Sequence, residues 1–245
     1  MVDLEIAVTS PEGACTARDN GADRVELCTG LELGGLTPSE GAVALTVETG
    51  IPTFALLRCR PGDFVYDESE LRTMEREARC LAAAGVAGVV LGALQADGSL
   101  DAAGTRRLVA AARDVAPTVR ITFHRAIDHA ADPIEVVGGL ADLGVDQVLT
   151  SGGADTAVDG AAAIARMSEE ARGVGIMAGG GLTPSTLEPV IGAGADAVHM
   201  SAKLRTERVR RTNVSLGAAD SGDSYFVTDA ATVRSARAAL ENVTR

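Results

Sequence analysis

Arg120-Ile121-Thr122-Phe123-His124-Arg125 alternates apolar and polar residues and ends in an ionisable pair. Ala126-Ile127-Asp128-His129 follows, and Asp132-Pro133 then offers a helix cap and a first helical residue. Alternation of period two fits a buried strand, so the stretch reads as a strand with a polar C-terminal tip that hands over to a helix. Two of the three histidines, His124 and His129, lie in this short segment.

The same unit recurs in both directions along the chain. Apolar or β-branched runs at about residues 4–9, 23–28, 53–58, 88–92, 119–124, 146–150, 174–178 and 196–200 read as strands. Stretches rich in Ala, Leu, Glu and Arg near residues 11–20, 38–48, 68–84, 101–114, 132–143, 156–172, 184–192 and about 229–243 read as helices. Eight alternations over about 250 residues are what an α/β fold of the (β/α)8 TIM-barrel type requires.

An internal repeat supports the count. Gly-x-x-x-Val recurs as Gly21 to Val25, Gly85 to Val89, Gly144 to Val148 and Gly194 to Val198, each time at the entrance of an even-numbered strand. Each glycine sits where the preceding helix needs a left-handed cap, and each valine falls at the same point of its strand. An open doubly wound sheet is the rival, but Ser10-Pro11-Glu12 opens the first helix where a G-x-G-x-x-G turn would stand.

Composition narrows the function classes. At 245 residues the chain affords a core without disulfide staples, and no linker or composition shift divides it, so residues 1–245 read as one domain. A formal net charge of −12 argues against nucleic acid or an anionic membrane as partner. The four cysteines, Cys15, Cys28, Cys59 and Cys80, are scattered without C-x-x-C spacing and read as reduced. The opening Leu4-Glu5-Ile6-Ala7-Val8 lacks a basic, then apolar leader, and no long uncharged apolar run follows, so a cytoplasmic location is expected.

Strand parity says which polar side chains converge. Leu4, Ile6 and Val8 face the helices, which turns Glu5 and Thr9 inward. By the same rule Glu26 and Cys28, Arg58, Thr122 and His124, and His199 and Ser201 point to the barrel axis. Buried charges persist when paired, so His199, Glu5, Glu26 and Arg58 are expected to form a network across neighbouring strands. Glu5, the deepest, fills the core; Glu26 and His124 are the candidate proton-transfer groups, with Arg58 holding an anion.

Arg125 follows the last residue of its strand and can fold over the rim, where its fork of donors suits a carboxylate or phosphate. Gly179-Gly180-Gly181 opens a helix through Leu182-Thr183-Pro184, and Ser201-Ala202 follows the eighth strand, a pattern close to the phosphate cradle of many barrels. A tight turn is the plainer reading of the glycines. Lys203, Arg205, Arg208, Arg210 and Arg211 could draw an anion to the same corner, or simply be solvated. Among the cysteines only Cys28 is expected to point inward, Cys59 facing outward, which leaves Cys28 as a single thiolate metal candidate. His124 and His129 bracket a turn and lack the spacing of a helical zinc pair.

Val25-Glu26-Leu27-Cys28, Gly34-Gly35-Leu36-Thr37-Pro38-Ser39, Gly62-Asp63-Phe64-Val65-Tyr66, Thr122-Phe123-His124-Arg125-Ala126, Leu149-Thr150-Ser151-Gly152-Gly153 and Met177-Ala178-Gly179-Gly180-Gly181 together resemble the CutC family of copper homeostasis proteins. The resemblance implies a TIM barrel, a cytoplasmic setting, a homodimer or larger homo-oligomer, and copper as a bound ion. It also adds Arg60, Asp63, Tyr66 and Ser151 to the residues expected at the barrel mouth. Family members commonly carry a cysteine in the first strand, where this chain has Ala7, so the resemblance implies an incomplete thiolate set here. The alternative is a barrel enzyme acting on a small carboxylate or phosphate.

Overall fold

The computed structural model describes residues 2–206 and 225–243. Its centre is a closed barrel of eight parallel strands in sequential order: β1 (Asp3–Val8), β2 (Arg24–Leu27), β3 (Thr53–Leu56), β4 (Gly88–Leu91), β5 (Arg120–Phe123), β6 (Gln147–Thr150), β7 (Gly175–Gly179) and β8 (Ala197–Met200). The ring closes through β1 and β8, with Glu5 opposite His199. Helices α1 (Pro11–Asp19), α2 (Glu40–Val47), α3 (Glu68–Ala83), α4 (Ala102–Arg113), α5 (Pro133–Leu140), α6 (Ala161–Glu170), α7 (Leu187–Gly192) and α8 (Ala230–Val243) follow the strands in turn. This is the (β/α)8 fold read from the alternation.

The parity argument is visible as separate apolar clusters. Leu4, Ile6, Val8, Val25, Leu27, Val89, Ile121, Phe123, Val148 and Val198 belong to the large core between barrel and helices. Cys28, just past β2, with Phe54 and Leu56 of β3 and Val90 of β4 forms one small cluster inside the barrel, and Leu149, Met177 and Ala197 form another. The barrel interior is thus filled by side chains, with polar groups packed between two apolar patches.

The four repeat glycines all adopt positive φ, from 79° to 97°, as a left-handed cap requires. The four repeat valines are each the second residue of their strand and fully buried.

Three local differences from the expected elements have visible causes. The helix expected from residue 156 starts at Ala161, because Thr156 bonds Asp159 through its hydroxyl and Gly160 packs on the carbonyl of Ser151, holding the segment as a turn. Arg125–His129 forms a 3-10 turn before α5. The segment after β8, read from its charges as a basic cluster beginning at Lys203, contains an antiparallel pair, β9 (Lys203–Thr206) with β10 (Tyr225–Thr228). Lys203 lies 4.7 Å from the Phe226 ring, while Arg208, Arg210 and Arg211 fall outside the described residues.

Candidate functional site at the barrel mouth

Polar residues inside the barrel occupy two levels. At the lower level Glu5 is fully buried and accepts from Arg24 Nε at 2.7 Å. Its other oxygen lies 2.8 Å from His199 Nδ1. Arg24 also donates to Gln147, contacts the Met177 sulfur at 3.1 Å, and stacks 4.7 Å from the Phe54 ring. Burial, the largest influence, would raise the Glu5 carboxyl, yet the His199 hydrogen bond and the Arg24 charge together hold it below its usual value. Arg24 and Gln147 were not among the residues expected at the site. Arg24 could have been found by the parity rule, since it stands two residues before Glu26.

One level up, β2 and β8 bring Glu26 and His199 to the wall of a cavity of about 230 Å³, with His124, Arg58, Cys28, Arg125, Gly180, Gly181 and Ser201 also lining it. Glu26 is 6% exposed, and its Oε2 is buried without a hydrogen-bond partner. Burial pushes its carboxyl up to about 7, against the pull of His199. For His199, burial works to lower the imidazole, but the carboxylates of Glu26 and Glu5 outweigh it and raise it above its usual value.

His124, at the tip of β5, accepts from the Ala126 amide through Nδ1 at 3.2 Å, which places the ring proton on Nε2. That Nε2 is buried and has no partner. The ring packs 4.9 Å from Phe64, and Gly92 makes room for it, since a Cβ there would stand 2.7 Å from Nδ1. Burial and then the Arg58 charge push His124 down to about 3, so it is a neutral donor at physiological pH.

The two arginines differ. Arg58 donates to the carbonyls of Leu33 and Gly35 at 3.0 Å and of Gly62 at 2.9 Å, and only its Nε is buried without a partner. It clamps the loop after β2 to the loop after β3. Arg125 is held through Nε by Asp128 at 2.7 Å and through Nη2 by Ser151 Oγ at 2.8 Å, with its guanidinium beside Gly180. Gly180 has φ of 114°, and a Cβ there would press within 3.3 Å of that guanidinium. Asp128 also accepts from the amides of Ser151 and Gly153 and from Thr150 Oγ1, which makes this carboxylate the organiser of the rim between β5 and β6.

Other expected residues stand apart from the cavity. Arg60 pairs with Glu70 and Asp63 and lies 5.4 Å from the Tyr66 ring, on the exposed side of the loop after β3. Tyr66 is buried with its hydroxyl unpartnered, away from the cavity lining. Ser151 serves Arg125 from behind, and Gly179 gives space to Leu149 and His199. Thr9 lies beyond the end of β1 and faces a crevice under β10 instead.

The family model described as "CutC family" matches residues 2–204. The chain belongs to the CutC family. Among its CutC relatives, the human copper homeostasis protein cutC homolog is 38% identical over 98% of this chain and 89% of that protein. A family protein CutC of Xylella fastidiosa is 42% identical over 94% of this chain and 86% of that protein. The crystal structure of the CutC protein of Streptococcus agalactiae superposes with a TM-score of 0.76 at 26% identity, covering 82% of this chain and 99% of that one.

The cysteines of this CutC barrel give a test of copper chemistry. Cys28 lies inside the barrel, and burial first, then Glu26, pushes its thiol well above the usual range, so it is held protonated. Cys59 packs against the outer core, away from it. Among the described residues, the cluster of three or more possible metal ligands is Glu5, Glu26 and His199, and it contains no sulfur. A lone protonated thiol does not fit a thiolate Cu(I) site.

Proposed function

We propose that this protein serves in copper homeostasis, the role that the names of its relatives give, and that it works through the barrel mouth as a small-ligand site. The observation that carries the site is the pair of buried, unpartnered polar atoms, Glu26 Oε2 and His124 Nε2, on one cavity at the C-terminal face of the barrel. Buried polar groups are normally satisfied, and those left open at a barrel mouth are where ligands bind. A 1:1 Cu(I) complex on thiolates is not expected. Competition against a Cu(I) chelator checks this, and a tight complex lost in Cys28→Ala would overturn it.

A second reading, a barrel enzyme acting on a small carboxylate or phosphate, is favoured by Arg125 beside the Gly180 backbone at the rim. There Arg125 would hold the anion, His124 Nε2–H would donate to it or to a developing oxyanion, and Glu26 or His124 would move the proton. Thermal shifts with a panel of phosphorylated and carboxylated metabolites test the site, because a bound ligand raises apparent stability. Arg125→Ala and His124→Ala should abolish the shift and leave the barrel folded. Equal shifts in both variants would place the ligand elsewhere.

A further inference from the structure

We propose that Glu26 and His199, oriented by Glu5, form a site for a divalent transition-metal ion at the base of the mouth cavity. The inference rests on the reading of the mouth as the working site and names a ligand for it. Glu5, Glu26 and His199 each offer one ligand atom, and the three atoms lie within 4.8 Å of one another. Metal–oxygen and metal–nitrogen bonds of about 2.0–2.2 Å set ligand atoms on one ion up to about 4 Å apart, so a small side-chain adjustment would bring the Glu26 carboxylate and the His199 ring onto one ion, with Glu5 held behind the ring by Arg24.

The independent sign of a missing ligand is Glu26. It is more than nine-tenths buried, and its Oε2 receives no hydrogen bond. Arg24, two residues away on the same strand, spends Nε and Nη2 on Glu5, Gln147 and Met177, and although its Nη1 is also without a hydrogen bond, none runs from it to Glu26. A carboxylate oxygen in such a place needs a cation or a proton.

His199 is arranged as a ligand. Its Nδ1 faces Glu5 Oε1 at 2.8 Å, which leaves Nε2 as the second donor atom of the ring. A carboxylate behind a metal-binding imidazole fixes its tautomer and orientation in this way. The chain therefore supplies fewer than four ligands, and the cavity above them leaves positions for water or a small anion, the pattern of an exchangeable or reactive metal rather than a structural one.

Imidazole and carboxylate without sulfur select Zn2+, Co2+, Mn2+ or Cu2+ over Cu(I). With Glu26 on the ion, His124 remains the proton-donating group of the rim. An anion held by Arg125 would then complete the coordination.

The test is a titration of chelator-treated full-length protein with Co2+, read by visible absorption and calorimetry. One Co2+ per chain is expected, with ligand-field bands, no sulfur-to-cobalt charge transfer, and displacement by Zn2+. Glu26→Gln should weaken binding by more than about tenfold. Cys28→Ala should leave it unchanged. Circular dichroism confirms that each variant is folded, and His199→Gln is read in place of Glu26→Gln if the latter is not. Binding no tighter in the parent than in the folded variant, including none in either, overturns the site and leaves Glu26 holding a proton. Loss of binding in Cys28→Ala overturns it in favour of a thiolate. The metabolite shifts with Arg125→Ala are scored separately, so the mouth can stand as an anion site even where the metal fails.

Discussion

Arg24 and Glu26 stand two residues apart on β2, point into the same barrel, and are both nearly excluded from solvent. Arg24 binds Glu5, Gln147 and Met177 through Nε and Nη2 and leaves only Nη1 without a hydrogen bond, whereas Glu26 Oε2 binds nothing. A single step along one strand separates a charge held by several partners from one whose carboxylate oxygen is left open. Polar residues inside a barrel are therefore not one class, and the number of partners each side chain holds tells Arg24 from Glu26.

The sharpest way to break that comparison is Glu5→Gln. Removing this carboxylate strands the Arg24 charge in the barrel, and a broken buried pair costs about 3–5 kcal/mol, measured as the shift in denaturant midpoint. A loss below about 1 kcal/mol would mean that the lower level is not a stabilising unit. Arg58→Ala comes next. Three loop carbonyls lose charge-assisted donors, so about 2–3 kcal/mol should be lost, accompanied by faster proteolysis in the loops after β2 and β3.

His124 gives a pH signature. Its folded value of about 3 lies below the ordinary 6.5, so below 6.5 the unfolded chain takes up a proton that the folded chain refuses. The stability it contributes is complete above pH 6.5 and is lost as pH falls towards 3, at about 1.4 kcal/mol per pH unit inside that window. The charged and titratable groups that face it are Arg58 and, more weakly, His129. A His124→Gln variant should show a shallower acid slope in denaturant titrations at a series of pH values. An unchanged slope would mean that His124 is not a buried neutral base.

The smallest effect is expected at Glu26→Gln. No hydrogen bond to Oε2 is lost, and a buried carboxylate is replaced by a neutral amide, so stability should change by less than about 1 kcal/mol or rise slightly. A melting temperature that falls as far as that of Glu5→Gln would erase the distinction between the two levels.

Much of this was legible in the chain. The repeat glycines and valines fixed the entrances of four strands, and period-two parity placed Leu4, Ile6 and Val8 outside and Glu26, His124 and His199 inside. Parity carries a residue or two past a strand, to Cys28, Arg58, His124 and Ser201, but not into the loop beyond, which is why the motif residues Arg60, Asp63 and Tyr66 could not be aimed and turn out to stand apart from the cavity. Gln147 went unremarked because one amide at the first position of a strand looks like an edge residue. What it does, accept from an arginine on β2, depends on barrel closure. Lys203-Leu204-Arg205-Thr206 reads as a basic loop by charge, and only its pairing with Tyr225–Thr228 makes it a strand. The orphan state of Glu26 is invisible to any pattern, because it is the absence of a neighbour.

The β1–β8 seam has a consequence for synthesis. Glu5 and His199 are 194 residues apart, so a ribosome making this chain from its N-terminus releases the carboxylate long before its partner exists. The half-made sheet presents an open edge at β1 throughout elongation, with apolar Leu4, Ile6 and Val8 awaiting their helices. Arg237 of α8, which binds the carbonyl of Gly21, shows how far the tail must return to seal the same side. Joining the old ends and opening the chain within the loop before α6 would make β8 and β1 neighbours in synthesis, and such a circular permutant should refold faster than the parent because its hardest contact becomes local.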